Sequence, residues 1–157
     1  YFVYYCPGTE GGIVQADGRP TPLYGPVKTL NREFVALARE LQPLRSLAIY
    51  HVGMAPPGSV PLPKDAPFFL DPAVAPLSYQ PGERIRGMIL GYFGVPDRPS
   101  HVVVVNLDYK AEATTTLVGA GKLEAFDATA GTWSPVGSAR AELRLPPGGG
   151  KLLRLAP

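Results

Sequence analysis

The sequence has little of what most binding and catalytic motifs require. It contains one cysteine and two histidines, so it cannot form an intrachain disulfide and offers no Cys/His cluster for zinc. Its longest apolar runs, such as residues 102–105, are far too short to cross a bilayer. The net charge of +2 is spread over interleaved acidic and basic residues, with no basic tract for nucleic acid or anionic membrane. We therefore expect no metal, cofactor, nucleic acid or membrane among the partners.

Proline and glycine are abundant, with 19 and 18 copies spread between short apolar segments. This composition is typical of a loop-rich β protein. In the segment 141–145, A-E-L-R-L, apolar residues alternate with charged ones, as in a strand with one buried face. One-sided strands joined by short turns predict an antiparallel β-sandwich of about seven or eight strands. The predicted strands are 85–95, 101–107, 111–118, 122–127, 131–136, 140–145 and 151–155.

The first part of the chain has a different pattern. The run Tyr1–Tyr5 is apolar throughout, as in a strand buried on both faces of a parallel sheet. After a turn-rich loop, a broad apolar stripe at helical spacing predicts a helix that starts near Pro26 and stops at Pro43. Residues 46–52 are apolar enough for a strand or a buried connector.

A strand–loop–helix unit cannot bury both of its faces alone. We therefore expect this unit to be the last piece of a (β/α)8 barrel or of a doubly wound domain, and the chain to be the tail of a larger protein. The expected organisation is an incomplete terminal β/α unit over 1–52, a proline-rich connector over 53–67 and the antiparallel β-sandwich over 68–157. The predicted fold class is thus mainly β, with a barrel remnant in front of the sandwich.

Two segments resemble a known family. Residues 12–24 read G-I-V-Q-A-D-G-R-P-T-P-L-Y, and residues 27–33 read V-K-T-L-N-R-E. They resemble the end of the catalytic barrel in TIM-barrel glycoside hydrolases of the β-galactosidase type, where "x-x-D-G-x-P-x-P-x-Y" precedes a last helix with "K-x-L-N-x-E". The second half is similar to the antiparallel sandwich that follows such barrels, in the segments 91–94, 103–110, 126–127, 131–133 and 145–155.

The resemblance implies a reaction for the larger protein, the hydrolysis of a β-glycosidic bond. In this family a pair of glutamates acts as acid/base and nucleophile, and both lie on barrel strands that precede the last one. Neither motif occurs in this chain, so the resemblance assigns no catalytic residue here. As a separate chain it is expected to have no activity, and its main partner would be the rest of the barrel.

Three residues are candidates for substrate contact. Tyr5 and Glu10 lie at what would be the catalytic end of the barrel, where Tyr5 could stack on a sugar and Glu10 could bind its hydroxyls. The structural alternatives are an interior ring for Tyr5 and a solvated loop acid for Glu10. Trp133 is the only tryptophan, and it could stack on a pyranose or cap the end of the sandwich core. The core role is favoured because tryptophan mostly contributes buried area.

Two other functions remain open. The sandwich could itself bind carbohydrate on an aromatic platform formed by Trp133 and nearby tyrosines, which would require exposed, coplanar rings. It could instead be an assembly element that forms an oligomer through a free strand edge.

Overall fold

The computed structural model of the protein describes residues 12–156. Within them the chain forms one helix and nine strands, and the strand predicted at Tyr1–Tyr5 lies outside the described residues. The elements are α1 (Tyr24–Leu41), β1 (Arg45–Gly53), β2 (Phe68–Asp71), β3 (Gly87–Val95), β4 (Arg98–Asn106), β5 (Ala113–Gly119), β6 (Leu123–Asp127), β7 (Thr132–Gly137), β8 (Arg140–Leu145) and β9 (Gly150–Leu155).

The strands form two sheets whose pairs are all antiparallel. The larger sheet has the order β1-β3-β4-β9-β6-β7, and the smaller one has the order β2-β5-β8. The predicted mainly β, antiparallel fold is confirmed. Its physical basis is visible in β8, where Ala141, Leu143 and Leu145 are buried and the charged residues between them are exposed.

The core lies between the two sheets. The smaller sheet contributes Phe68 and Leu117, and the larger one contributes Leu90, Val104 and Leu153, all of them completely buried. Side chains from both inner faces meet in one cluster, which is the packing expected of a β-sandwich. The strand β2, which starts at Phe68, was not predicted, because four residues are too few to show an alternation.

The predicted strand over 46–52 is present as β1, but it belongs to the sandwich. It pairs with β3 from Arg45 to Gly53, so it is an edge strand of the larger sheet. The sheet therefore begins before the boundary expected at residue 52. The proline-rich segment is irregular, as predicted, and together with the following residues up to Leu77 it covers this edge: the His51 N–H donates to the Val60 carbonyl at 3.1 Å, and the Leu77 N–H donates to the Gly53 carbonyl at 3.1 Å.

The helix α1 is close to its predicted bounds. Pro43 follows shortly after it, and the Gln42 N–H donates the closing bond to the Ala38 carbonyl at 2.8 Å. The helix packs on the outer face of the larger sheet, yet none of its residues is buried. The leucines of α1 therefore differ in exposure: Leu37 is half-buried, whereas Leu30 is 57% exposed.

Candidate functional site

Two of the three candidate contact residues, Tyr5 and Glu10, lie outside the described residues. The third, Trp133, is in β7, and its indole faces outward from the larger sheet beneath α1. Its cross-strand partner Phe126 lies on the same face, opposite to Ala125, which is in the core. Trp133 is thus half-buried, and it is not part of the core between the sheets. The favoured capping role in the sandwich core is wrong, because the residue packs on the opposite face.

Trp133 joins the helix to the sheet. Its Nε1–H donates a hydrogen bond to the Glu40 Oε2 of α1 at 2.8 Å, and the Arg154 guanidinium carbon lies 4.1 Å from the centre of its ring. Arg154 in turn pairs with Glu124 through Nε and Oε2 at 2.7 Å. We call the group the Trp133 cluster; its members are Glu40, His101, Glu124, Phe126, Trp133 and Arg154.

The rings of the Trp133 cluster do not form a flat surface. The Phe126 ring is tilted by 47° to the indole at a centroid distance of 5.1 Å, and the His101 ring stands at 73° to it at 5.6 Å. A sugar-stacking platform needs exposed, coplanar rings, whereas Arg154 already lies over the indole. This geometry favours a structural role for Trp133, in which it holds α1 against the sheet.

The electrostatics of the Trp133 cluster agree with that role. Burial lowers the pKa of His101 below its ordinary range, and the positive charge of Arg154 lowers it further, while Glu40 opposes the shift. Both glutamates of the cluster accept bonds from N–H donors, Glu40 from Trp133 and Glu124 from Arg154. Both glutamates are therefore hydrogen-bonded within the cluster.

The sequence could not reveal this cluster, because Glu40 and Trp133 are 93 residues apart. The helical periodicity assigns Glu40 only to the polar side of the helix, and the strand alternation assigns Trp133 only to one face of a strand. Their contact depends on how the helix lies across the sheet.

The other histidine, His51, lies beside a cavity of about 360 Å³ between β1, the proline-rich segment and β2. Its Nδ1 is buried without a hydrogen-bond partner in the described part of the chain. Across residues 12–156, no group of three His, Cys, Asp or Glu residues is placed to hold a metal ion. The helix in this range is also not long and apolar enough to span a membrane.

A larger cavity lies between α1 and the turn at residues 128–131, which joins β6 to β7. Its volume is about 670 Å³, a size typical of small-molecule sites. Three cationic side chains from α1 line it, those of Lys28, Arg32 and Arg39. We call this cavity the helix groove; its other lining residues are Ile13, Tyr24, Val27, Asn31, Val35, Ala36, Ala128, Thr129, Ala130 and Gly131.

A sequence signal for the helix groove did exist. Lys28, Arg32 and Arg39 are four and seven residues apart, which places them along one face of a helix. This spacing by itself indicates only a polar face of the helix, because the turn that completes the groove lies far away in the sequence.

The chain was also compared with known proteins. No family model, no curated protein and no solved structure matches it.

Proposed function

We propose that this chain is the non-catalytic C-terminal part of a glycoside hydrolase of the β-galactosidase type, whose sandwich packs on and supports the catalytic barrel. The resemblance of residues 12–24 and 27–33 to the end of such barrels supports this proposal. So does the order of the elements, in which a helix leads into an antiparallel two-sheet fold.

The observation that carries the proposal is the apolar side of α1. Leu23, Leu30 and Leu37 are seven residues apart, so they lie nearly in line over successive pairs of helical turns. Leu37 is half-buried, whereas Leu23 is 45% and Leu30 is 57% exposed. A helix whose apolar stripe is only partly covered has a further surface to bury, and the proposal assigns that surface to the barrel.

The hydrogen bonds of Glu40 and Glu124 fit a supporting role. A retaining glycosidase needs two carboxyl groups about 5 Å apart, one of them free to donate a proton and the other free to attack. Glu40 and Glu124 instead bind Trp133 and Arg154. In the proposed protein the catalytic pair comes from the preceding part of the barrel.

The first experiment is to read the coding sequence upstream of Tyr1 and to express the protein that it encodes. The proposal expects an in-frame extension of alternating strands and helices with a glutamate at the end of two strands. That protein should hydrolyse a nitrophenyl β-galactoside, and the 157-residue chain should not. Hydrolysis by the chain alone, or a start codon directly before Tyr1, would contradict the proposal.

The packing of α1 can be tested in the same full-length protein. Leu30→Glu would place a carboxylate at the surface assigned to the barrel, where desolvation of the charge costs several kcal/mol. We expect a lower unfolding temperature and a parallel loss of activity. The matched control is Ile49→Glu, at a residue of β1 that is 55% exposed, which should change neither. Equal effects of the two variants would show that α1 does not face the barrel.

A further inference from the structure

The helix groove has an excess of positive charge. Lys28, Arg32 and Arg39 line one wall, and none of them forms an ion pair with a carboxylate of the described residues. Five other arginines do have such a partner, at N···O distances up to 3.2 Å; they are Arg19, Arg84, Arg140, Arg144 and Arg154. The groove therefore concentrates cations that have no carboxylate partner within residues 12–156.

The nearby carboxylates are engaged elsewhere. Asp127 precedes the turn that forms the opposite wall, and its Oδ1 accepts hydrogen bonds from the N–H groups of Thr129 at 2.8 Å and Ala130 at 3.0 Å. Glu33 does not line the helix groove but faces a separate one beside Leu37. Glu40 binds Trp133. Lys28 and Arg32 are one helical turn apart, about 6 Å along the axis, so one anion in the helix groove can contact both, whereas Arg39 lies about 10 Å further along. Neither Lys28 nor Arg32 has a carboxylate partner among the described residues that such an anion would displace.

The rest of the lining suits a ring with polar substituents. Tyr24 is 41% exposed and offers an aromatic surface beside Val27. Asn31, on the same wall, carries an amide that can both donate to and accept from hydroxyl groups. On the same stretch of the helix, Arg32 can bind a carboxylate or a phosphate through two parallel N–H bonds.

From these features we infer that the helix groove binds an anionic sugar, a pyranose that carries a carboxylate or a phosphate group. Lys28 and Arg32 would bind the charged substituent, Asn31 the hydroxyls and Tyr24 a face of the ring. This inference goes beyond the proposed function. It does not depend on that function, because it rests only on the side chains that line the groove, all of them within the described residues.

Calorimetric titration of the 157-residue chain tests the inference with four probes: glucuronate, glucose 6-phosphate, glucose and inorganic phosphate. Saturable binding of glucuronate or of glucose 6-phosphate, at least tenfold tighter than that of glucose and of inorganic phosphate, is the expected result. Which of the two sugars binds more tightly identifies the charged group. Equal binding of the sugar anions and inorganic phosphate would reduce the groove to a general anion patch and overturn the inference. So would the absence of binding, or a preference for an acidic peptide such as a short polyglutamate.

Variants locate the site. Lys28→Gln and Arg32→Gln should each lower the affinity for the better sugar about tenfold, the loss expected for one charge-assisted contact. Arg32→Lys keeps the charge without the two parallel bonds, and should retain part of the affinity. The control is Arg98→Gln, at an exposed arginine of β4 away from the groove, which should bind as the parent does.

Glutamine is close to arginine and lysine in helix propensity, so the helix should form in each variant, and its circular dichroism verifies this. Unchanged affinity in both glutamine variants with an intact helix would place the sugar elsewhere and refute the inference.

Discussion

The hydrogen bond from Trp133 to Glu40 should govern how firmly α1 is held on the sheet. Trp133→Phe removes the Nε1–H donor and keeps an aromatic ring beside Phe126. A hydrogen bond to a charged group contributes about 1.5–3 kcal/mol, and the lower end applies here because the bond is only partly buried. None of the residues of α1 is buried, so few other contacts can compensate. A loss of about 1.4 kcal/mol lowers an equilibrium constant tenfold.

Amide hydrogen exchange measures this effect directly, because it reports local opening. In Trp133→Phe, protection of the amides of α1 should fall about tenfold, while protection in β4, whose Val102 and Val104 are fully buried, should stay nearly constant. Adding Glu40→Gln completes a double-mutant cycle, and a coupling of about 1 kcal/mol or more is expected for residues in contact. Equal protection of α1 in the parent and in Trp133→Phe would refute the reasoning, as would strictly additive effects.

Three further perturbations test the sandwich itself. Burial, assisted by Arg154, lowers the pKa of His101 below its ordinary 6.5, so the unfolded chain binds this proton more tightly than the folded chain does. The free energy of unfolding should therefore fall as the pH drops below about 6.5. When urea midpoints are measured at a series of pH values, His101→Gln should weaken the dependence on pH in this range. Leu117→Ala empties a fully buried position and should cost about 2–5 kcal/mol in urea unfolding; a cost below 1 kcal/mol would mean that the site is not in the core. Gly87→Ala should cost about 2 kcal/mol or more, because φ is +120° and the new Cβ would lie 2.3 Å from a carbonyl oxygen of β1. Gly25→Ala, whose new Cβ would meet nothing within 4 Å, is the control and should be neutral or stabilising.

Much of this fold could be predicted because its pattern is local. The alternation around Leu143 indicates which face of β8 is buried, and the proline after α1 marks the end of the helix. The start of β4 was predicted three residues late, at His101. A tight turn at Asp97, with φ of 60°, allows the strand to begin at Arg98.

The Trp133 cluster and the helix groove both depend on contacts between residues far apart in the sequence, for which local patterns give no signal. Nothing near Trp133 in the sequence indicates that its partners are a helix glutamate and an arginine of β9. The spacing of the cations of α1 in the sequence likewise indicates only a polar face of the helix. The turn at residues 128–131 converts that face into a groove, and no periodicity connects the two segments.

The proline-rich segment that covers β1 has a consequence for the behaviour of concentrated protein. A free sheet edge offers unpaired N–H and C=O groups on which another molecule can add a strand. At one end of the larger sheet, the His51 N–H is already bonded to Val60 of this segment and the Gly53 carbonyl to the Leu77 N–H. At the other end, β7 contains Pro135, which has no N–H to offer to an incoming strand. Growth of the larger sheet from molecule to molecule is therefore opposed at both ends, as long as the segment remains in place.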